Sequence, residues 1–213
     1  LADHIILGGN SLSVDDYTNQ DLEAINSAQT GSQLVISTVE NAVLDSTFLV
    51  DATEINLGGA ASATAAHAAS LASVLKLHDQ TLSVSNYVDQ DLESITSTEN
   101  SSLEVTTAAG ASLDQNKLAD ATLITLGENA TTNGSDIVDL LIDTTVVVGQ
   151  KDLTIENYTG GSIASLDVVQ AVAQQEKVTL GRSAPNVAQV DTLTLTGSFA
   201  EGDAITITID GDD

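Results

Sequence analysis

Leu12-Ser13-Val14-Asp15-Asp16-Tyr17 returns seventy residues later as Leu82-Ser83-Val84-Ser85-Asn86-Tyr87, and again as Leu153-Thr154-Ile155-Glu156-Asn157-Tyr158. The first two copies stay alike beyond the tyrosine, with Asn19-Gln20-Asp21-Leu22-Glu23-Ala24-Ile25 answered by Asp89-Gln90-Asp91-Leu92-Glu93-Ser94-Ile95. The third keeps the Leu-x-(Val/Ile)-x-x-Tyr core and loses the acidic half. Internal repetition of this period signals a chain built by stacking similar pieces.

A second signature closes each unit. It reads Leu49-Val50-Asp51-Ala52-Thr53-Glu54-Ile55-Asn56-Leu57-Gly58, then Leu118-Ala119-Asp120-Ala121-Thr122-Leu123-Ile124-Thr125-Leu126-Gly127. Val190 to Gly197 is a weaker relative, and Leu1 to Gly8 reads as the same signature at the start. The organisation expected is therefore as follows. Residues 1–11 are the tail of a preceding repeat or a complement supplied between subunits. Residues 12–59 form repeat 1, 60–81 an Ala/Ser-rich connector, 82–128 repeat 2 and 129–184 a degenerate repeat 3. Residues 185–213, after the single proline Pro185, form a C-terminal segment.

Within the repeats apolar and polar residues alternate, as in Gln33-Leu34-Val35-Ile36-Ser37, Glu54-Ile55-Asn56-Leu57 and Leu103-Glu104-Val105-Thr106. Period two in Val, Ile and Thr predicts strands. Gly8-Gly9-Asn10, Gly58-Gly59 and Gly160-Gly161 punctuate them. Helical signal is confined to short stretches: Asp21–Ile25, the Ala-rich segment 60–77, and 166–176. Each unit alone would bury little apolar surface, and stacking neighbours on a shared ladder solves that. The fold expected is all-β, a parallel β-solenoid of imperfect repeats with a C-terminal β-hairpin. In that hairpin Thr192–Thr196 and Ile205–Ile209 are joined through Glu201-Gly202-Asp203. The alternative is tandem β-sandwich-like repeats. Open sheet edges recruit further strands, so a head-to-tail homo-oligomer or polymer is the expected partner.

Composition narrows the function. The 213 residues, 21.8 kDa, are 42% apolar but 2% aromatic, with no Cys, Met or Trp, so the core must be Leu, Ile, Val and Ala. Five Lys and Arg face 31 Asp and Glu, a formal net charge of -26. Phosphate neutralisation needs cationic side chains, which excludes nucleic acid and disfavours anionic membrane surfaces. No apolar run is long enough to insert in a membrane as a helix. No signal peptide is legible, and a start at Leu1 reads as a processed product or a piece of a longer array.

Motifs for chemistry are sparse. His4, His67 and His78 are scattered and form no metal-ligand pair, and there is no Gly-x-Ser-x-Gly elbow or phosphate loop. No catalytic site is expected. The acidic positions Asp15, Asp16, Asp89, Asp91, Asp210, Asp212 and Asp213 are the candidate metal ligands. Calcium (Ca2+) takes several carboxylate and carbonyl oxygens and would relieve the self-repulsion of the chain. The same residues also read as solvated acidic faces. Asn100, Asn129, Asn133 and Asn157 stand in Asn-x-Ser/Thr acceptor patterns.

The C-terminal Thr192–Gly197 … Glu201-Gly202-Asp203 … Ile205–Gly211 segment, the Leu-Ser-Val-x-x-Tyr units and the Cys-free, Ala/Thr/Ser/Asp-rich composition resemble the repeat regions of large secreted bacterial surface proteins. These are RTX-type adhesins, S-layer proteins and extracellular matrix fibres. The Gly-Gly-x-Gly-x-Asp nonapeptide of the calcium β-roll is absent, so that element does not carry over. The resemblance implies a secreted, cell-surface, self-assembling structural module without catalytic activity. A carbohydrate- or host-binding adhesin module, and a polysaccharide-active β-helix enzyme, are the alternatives.

Overall fold

The computed structural model describes residues 5–167 and the strands at 176–180 and 205–209. The chain divides into two compact units, Leu1–Ser85 with Leu92–Glu104, and Asn86–Asp91 with Val105–Asp213.

In the first unit the chain runs through β1 (Ile5–Ile6), β2 (Ser11–Tyr17), β3 (Ile25–Asn26), β4 (Gln33–Thr38), β5 (Ala42–Leu44), β6 (Glu54–Asn56) and β7 (Ala61–Thr64). Helix α1 (Ala65–Leu71), a single 3-10 turn, β8 (Leu75–Lys76) and β9 (Thr81–Tyr87) follow. β2-β4-β6-β8 form one sheet, β1 pairs with β3, and β5, β7 and β9 pair in that order. Every pairing is parallel. Partners such as Ile5↔Ile25, Ile36↔Ile55 and Ile55↔Leu75 lie about twenty residues apart, because a parallel return needs a connection that long.

Register places like residues over like. Val14, Ile36, Ile55 and Leu75 form one apolar ladder, and Leu44, Ala63 and Val84 another. Ile36, Ile55, Leu75 and Leu44 are fully buried. Each such side chain contributes about 1.5–3 kcal/mol on leaving water.

The second unit holds β10 (Ser102–Thr107, its last three residues), β11 (Ala111–Leu113), helix α2 (Gln115–Leu118), β12 (Leu123–Thr125), β13 (Ala130–Asn133) and helix α3 (Gly134–Asp143). After them come β14 (Thr145–Val147), β15 (Leu153–Glu156), β16 (Leu166–Asp167), β17 (Glu176–Leu180) and β18 (Ile205–Ile209). β11-β13-β15-β17-β18 and β12-β14-β16 pair in those orders, again all parallel.

The all-β expectation, solenoid and sandwich alike, is corrected by this structure. The protein is mixed α/β, with four all-parallel sheets and helices within the repeating pattern. A sandwich requires antiparallel sheets, and the pairings are parallel. The helices have local causes. Thr64 Oγ1 caps α1 by accepting from the His67 amide at 3.4 Å. In α3, Ile137, Leu140 and Leu141 fall at i, i+3 and i+4 and bury one stripe. Its first residue is glycine because a Cβ on Gly134 would stand 2.5 Å from Tyr158 Cα. The expected hairpin is not seen either: β18 pairs in parallel with β17, and its supposed first arm at 192–196 lies outside the described residues.

Candidate functional site

The Leu-x-Val strand has three different fates. In the second copy β9 lies beside β7, with Ala61 opposite Leu82 and Ala63 opposite Val84, and both are buried. In the third, β15 lies beside β13, with Ala130 opposite Leu153 and Thr132 opposite Ile155, again buried. In the first, β2 stands at the edge of its sheet, and Leu12 and Val14 are only half-buried.

The strand before it repeats this contrast. Leu75 of β8 is held between Ile55 and the next turn, where Lys76 bridges Thr96. Seventy residues earlier, β1 has β3 on one side, and nothing among the described residues pairs with its other edge. Ile5 and Ile6 are 51% and 66% exposed, whereas Leu75 is completely buried. Related segments, with Ile6 standing where the later copy has Lys76, are thus covered in one place and more exposed in the other. An exposed apolar parallel edge is a template for a further strand.

Each Tyr follows a left-handed residue at or just past the end of its strand. Asp16, Asn86 and Asn157 have φ of 56°, 58° and 52°. Asp and Asn tolerate this region because their short polar side chains bond locally. Asp16 thus serves the backbone of this turn. Asp15 beside it is exposed, with the Ser13 hydroxyl at 3.5 Å.

Asp89 accepts from Lys117 Nζ at 2.7 Å, and this pairing raises the Lys117 pKa. Asp91 is exposed in the same turn. Asp210, Asp212 and Asp213 lie outside the described residues. Among the described residues no group of three or more His, Asp or Glu is arranged to hold a metal ion.

Tyr17 and Tyr87 are fully buried, and their hydroxyls have no hydrogen-bond partner. Burial, then the nearby charges of Asp45 and Asp21, pushes the Tyr17 pKa up to about 12. Burial, with Asp89, Asp114 and Asp91, raises that of Tyr87. Tyr158 differs, since its hydroxyl donates to the Gly161 carbonyl at 2.7 Å.

Sequence reading set His67 aside as isolated, but α1 carries it over Asp45. The Ser46 amide donates to its Nδ1 at 3.2 Å, Ser46 Oγ lies at 2.9 Å, and Asp45 Oδ1 at 3.4 Å. A catalytic relay needs the carboxylate on one ring nitrogen and the hydroxyl on the other. Here both converge on Nδ1. Asp45 is held below its ordinary pKa chiefly by the Thr47 hydroxyl and amide, at 2.6 and 2.8 Å. It is a turn-forming carboxylate first, as is its counterpart Asp114, which caps α2 through the Asn116 amide. Beside His67 lies an open groove of about 250 Å³, floored by Val43, Leu44 and Ala63 and rimmed by Ser62, Thr64 and Ser85. The Thr-x-x-His spacing at the α1 cap was the one sequence signal for this placement.

No family model, no curated protein and no solved structure matches this chain. Among the described residues no helix is long and apolar enough to cross a membrane.

Proposed function

We propose that the protein is a structural, self-assembling module of an extracellular surface or matrix array, with no catalytic role. The observation that carries this reading is the edge formed by β1 and β2, where Ile5 and Ile6 are exposed and Leu12 and Val14 half-buried, while Leu75, Leu82 and Val84 of the next copy are buried. Covering Ile5, Leu12 and Val14 repeats the burial of their counterparts Leu75, Leu82 and Val84. The extracellular setting is supported by the resemblance to surface-array repeats.

A net charge of -26 opposes association at low ionic strength. Cations, calcium included, enter this reading by screening. The test is sedimentation velocity and negative-stain microscopy across a NaCl series, with a CaCl2 series at matched ionic strength. The expected result is oligomers that grow with salt and respond to CaCl2 no more than its ionic strength requires. A monomer at every salt concentration would refute the reading.

The groove beside His67 favours a second reading, a glycan-binding module. With Nδ1 accepting the Ser46 amide, Nε2 carries the proton of the neutral ring and is the nitrogen left to donate. Ser62, Thr64 and Ser85 add hydroxyls over an apolar floor. Titration with neutral and acidic monosaccharides, followed by NMR of the His67 ring, tests it. Shifts abolished in His67→Ala support it, and an unmoved ring rejects it.

A further inference from the structure

We infer that assembly is head-to-tail, with β1 of one copy adding in parallel to the edge of β18, unpaired among the described residues, in a second copy. The inference rests on the self-assembly reading and names the two strands that meet.

The sheet orders carry it. In the first unit, the strand that ends in Tyr17 is followed across the sheet by β4, then β6, then β8. In the second unit the strand that leads to Tyr158 is followed by β17, then β18. β18 thus holds the place of β6, and the place of β8 beyond it is taken by nothing among the described residues. The strand that belongs there is a counterpart of β8, which immediately precedes a Leu-x-Val-x-x-Tyr strand. Ile5–Ile6 is that counterpart, seventy residues before Leu75–Lys76 and leading into β2 through the same turn. Asn10 N donates to Leu7 O at 3.0 Å, as Gln80 N donates to Leu77 O at 2.9 Å.

The two free edges match in direction and in need. β8 pairs in parallel with β6 on one side and bridges Thr96 in parallel on the other. β1 already has its equivalent of the second contact, Ile5↔Ile25 and Ile6↔Asn26, and lacks only the first. β18 is parallel to β17, so its outer edge offers the same parallel ladder that β6 offers β8. A contact between unlike strands, β1 of one copy and β18 of the next, leaves an unused strand of each kind and so propagates into a filament or a ring.

The experiment is complementation between two full-length variants. Ile5→Lys with Ile6→Lys charges an edge whose side chains are already exposed. Thr206→Pro with Ile207→Pro removes amide donors from both edges of β18. Circular dichroism checks that each variant keeps its fold. By sedimentation velocity at high salt, wild type should polymerise and each variant alone should be monomeric. An equimolar mixture should give a dimer that grows no further, because only one intact head and one intact tail remain. A mixture that stays monomeric while wild type polymerises overturns the β1–β18 pairing but leaves self-assembly standing. Polymers of the proline variant alone would also overturn it. A monomeric wild type overturns both readings.

Discussion

The amide of Gly58 donates to Oγ1 of Thr38 at 3.3 Å, and a Cβ on Gly58 would stand 2.3 Å from the Thr38 carbonyl oxygen. The second repeat reproduces this relationship, with Gly127 N at 3.2 Å from Thr107 Oγ1 and its Cβ position 2.4 Å from Thr107 O. In these two repeats the closing Leu-Gly is thus a steric requirement of one turn stacking on the last. Gly58→Ala and Gly127→Ala should each cost about 1–3 kcal/mol, since backbone rather than a flexible side chain must yield. Gly149 has open space around its Cβ position and φ of 62°, and the same turn holds His78 at φ 47° in the preceding repeat. Gly149→Asn should therefore change stability by less than about 0.5 kcal/mol. Urea denaturation of the three variants checks the contrast, and equal losses at all three positions would contradict it.

The residue before each Tyr is set by its backbone. Asn86 has φ 58° and leads straight into buried Tyr87. Asn86→Ala should lose about 1–2 kcal/mol from the left-handed region alone. Asn86→Gly should recover most of that, because glycine has no Cβ to crowd the following carbonyl. If Ala and Gly behave alike in thermal melts, strain is not the reason for Asn here.

The sequence made the repeat legible because stacking copies the same constraints. Leu82 and Val84, the tyrosine and the closing glycine recur at fixed spacing, each answering one contact. The mixed character of the fold was harder to see. Residues 60–81 look like a connector, since alanine suits a helix and the small, tightly packed strand β7 equally well. The α3 segment reads weakly because Gly134 at its start is there for Tyr158, a neighbour distant in sequence. The acidic candidates have local surroundings that composition does not distinguish. Asp16 serves a φ angle and Asp89 serves Lys117, and composition weighs them like any other carboxylate. Beyond the Thr-x-x-His cap signal, His67 acquires its neighbours from the Asp45-Ser46 turn after β5, about twenty residues earlier in the chain.

The three tyrosines should respond differently to loss of a single oxygen. Tyr17 and Tyr87 bury hydroxyls without a partner, while Tyr158 donates to Gly161. A buried polar group left unpaired costs about 1–3 kcal/mol, and a satisfied one contributes about 1. Tyr17→Phe and Tyr87→Phe should therefore be neutral or stabilising, by up to about 1 kcal/mol. Tyr158→Phe should be destabilising by a similar amount. Chemical denaturation read by far-UV circular dichroism distinguishes them, and a clear loss in Tyr17→Phe would show that its hydroxyl is satisfied in solution.

Alkaline pH tests the same hydroxyls through their ionisation. Tyr17 is raised from 10.0 to about 12 by burial and by the carboxylates of Asp45 and Asp21, and Tyr87 is raised too. A raised folded-state value means that the folded protein holds the phenol proton more tightly than the unfolded chain does. This contribution is complete below pH 10 and is lost as the pH climbs through about 12. Two units correspond to roughly 2–3 kcal/mol for Tyr17. Wild type should lose stability steeply over that interval. The Tyr17→Phe, Tyr87→Phe double variant should keep most of its stability there and match wild type or exceed it at neutral pH. Thermal melts at intervals between pH 8 and pH 12, with tyrosinate absorbance recorded alongside, read both quantities. If wild type and the double variant decline in parallel, these two phenols are not the groups that titrate.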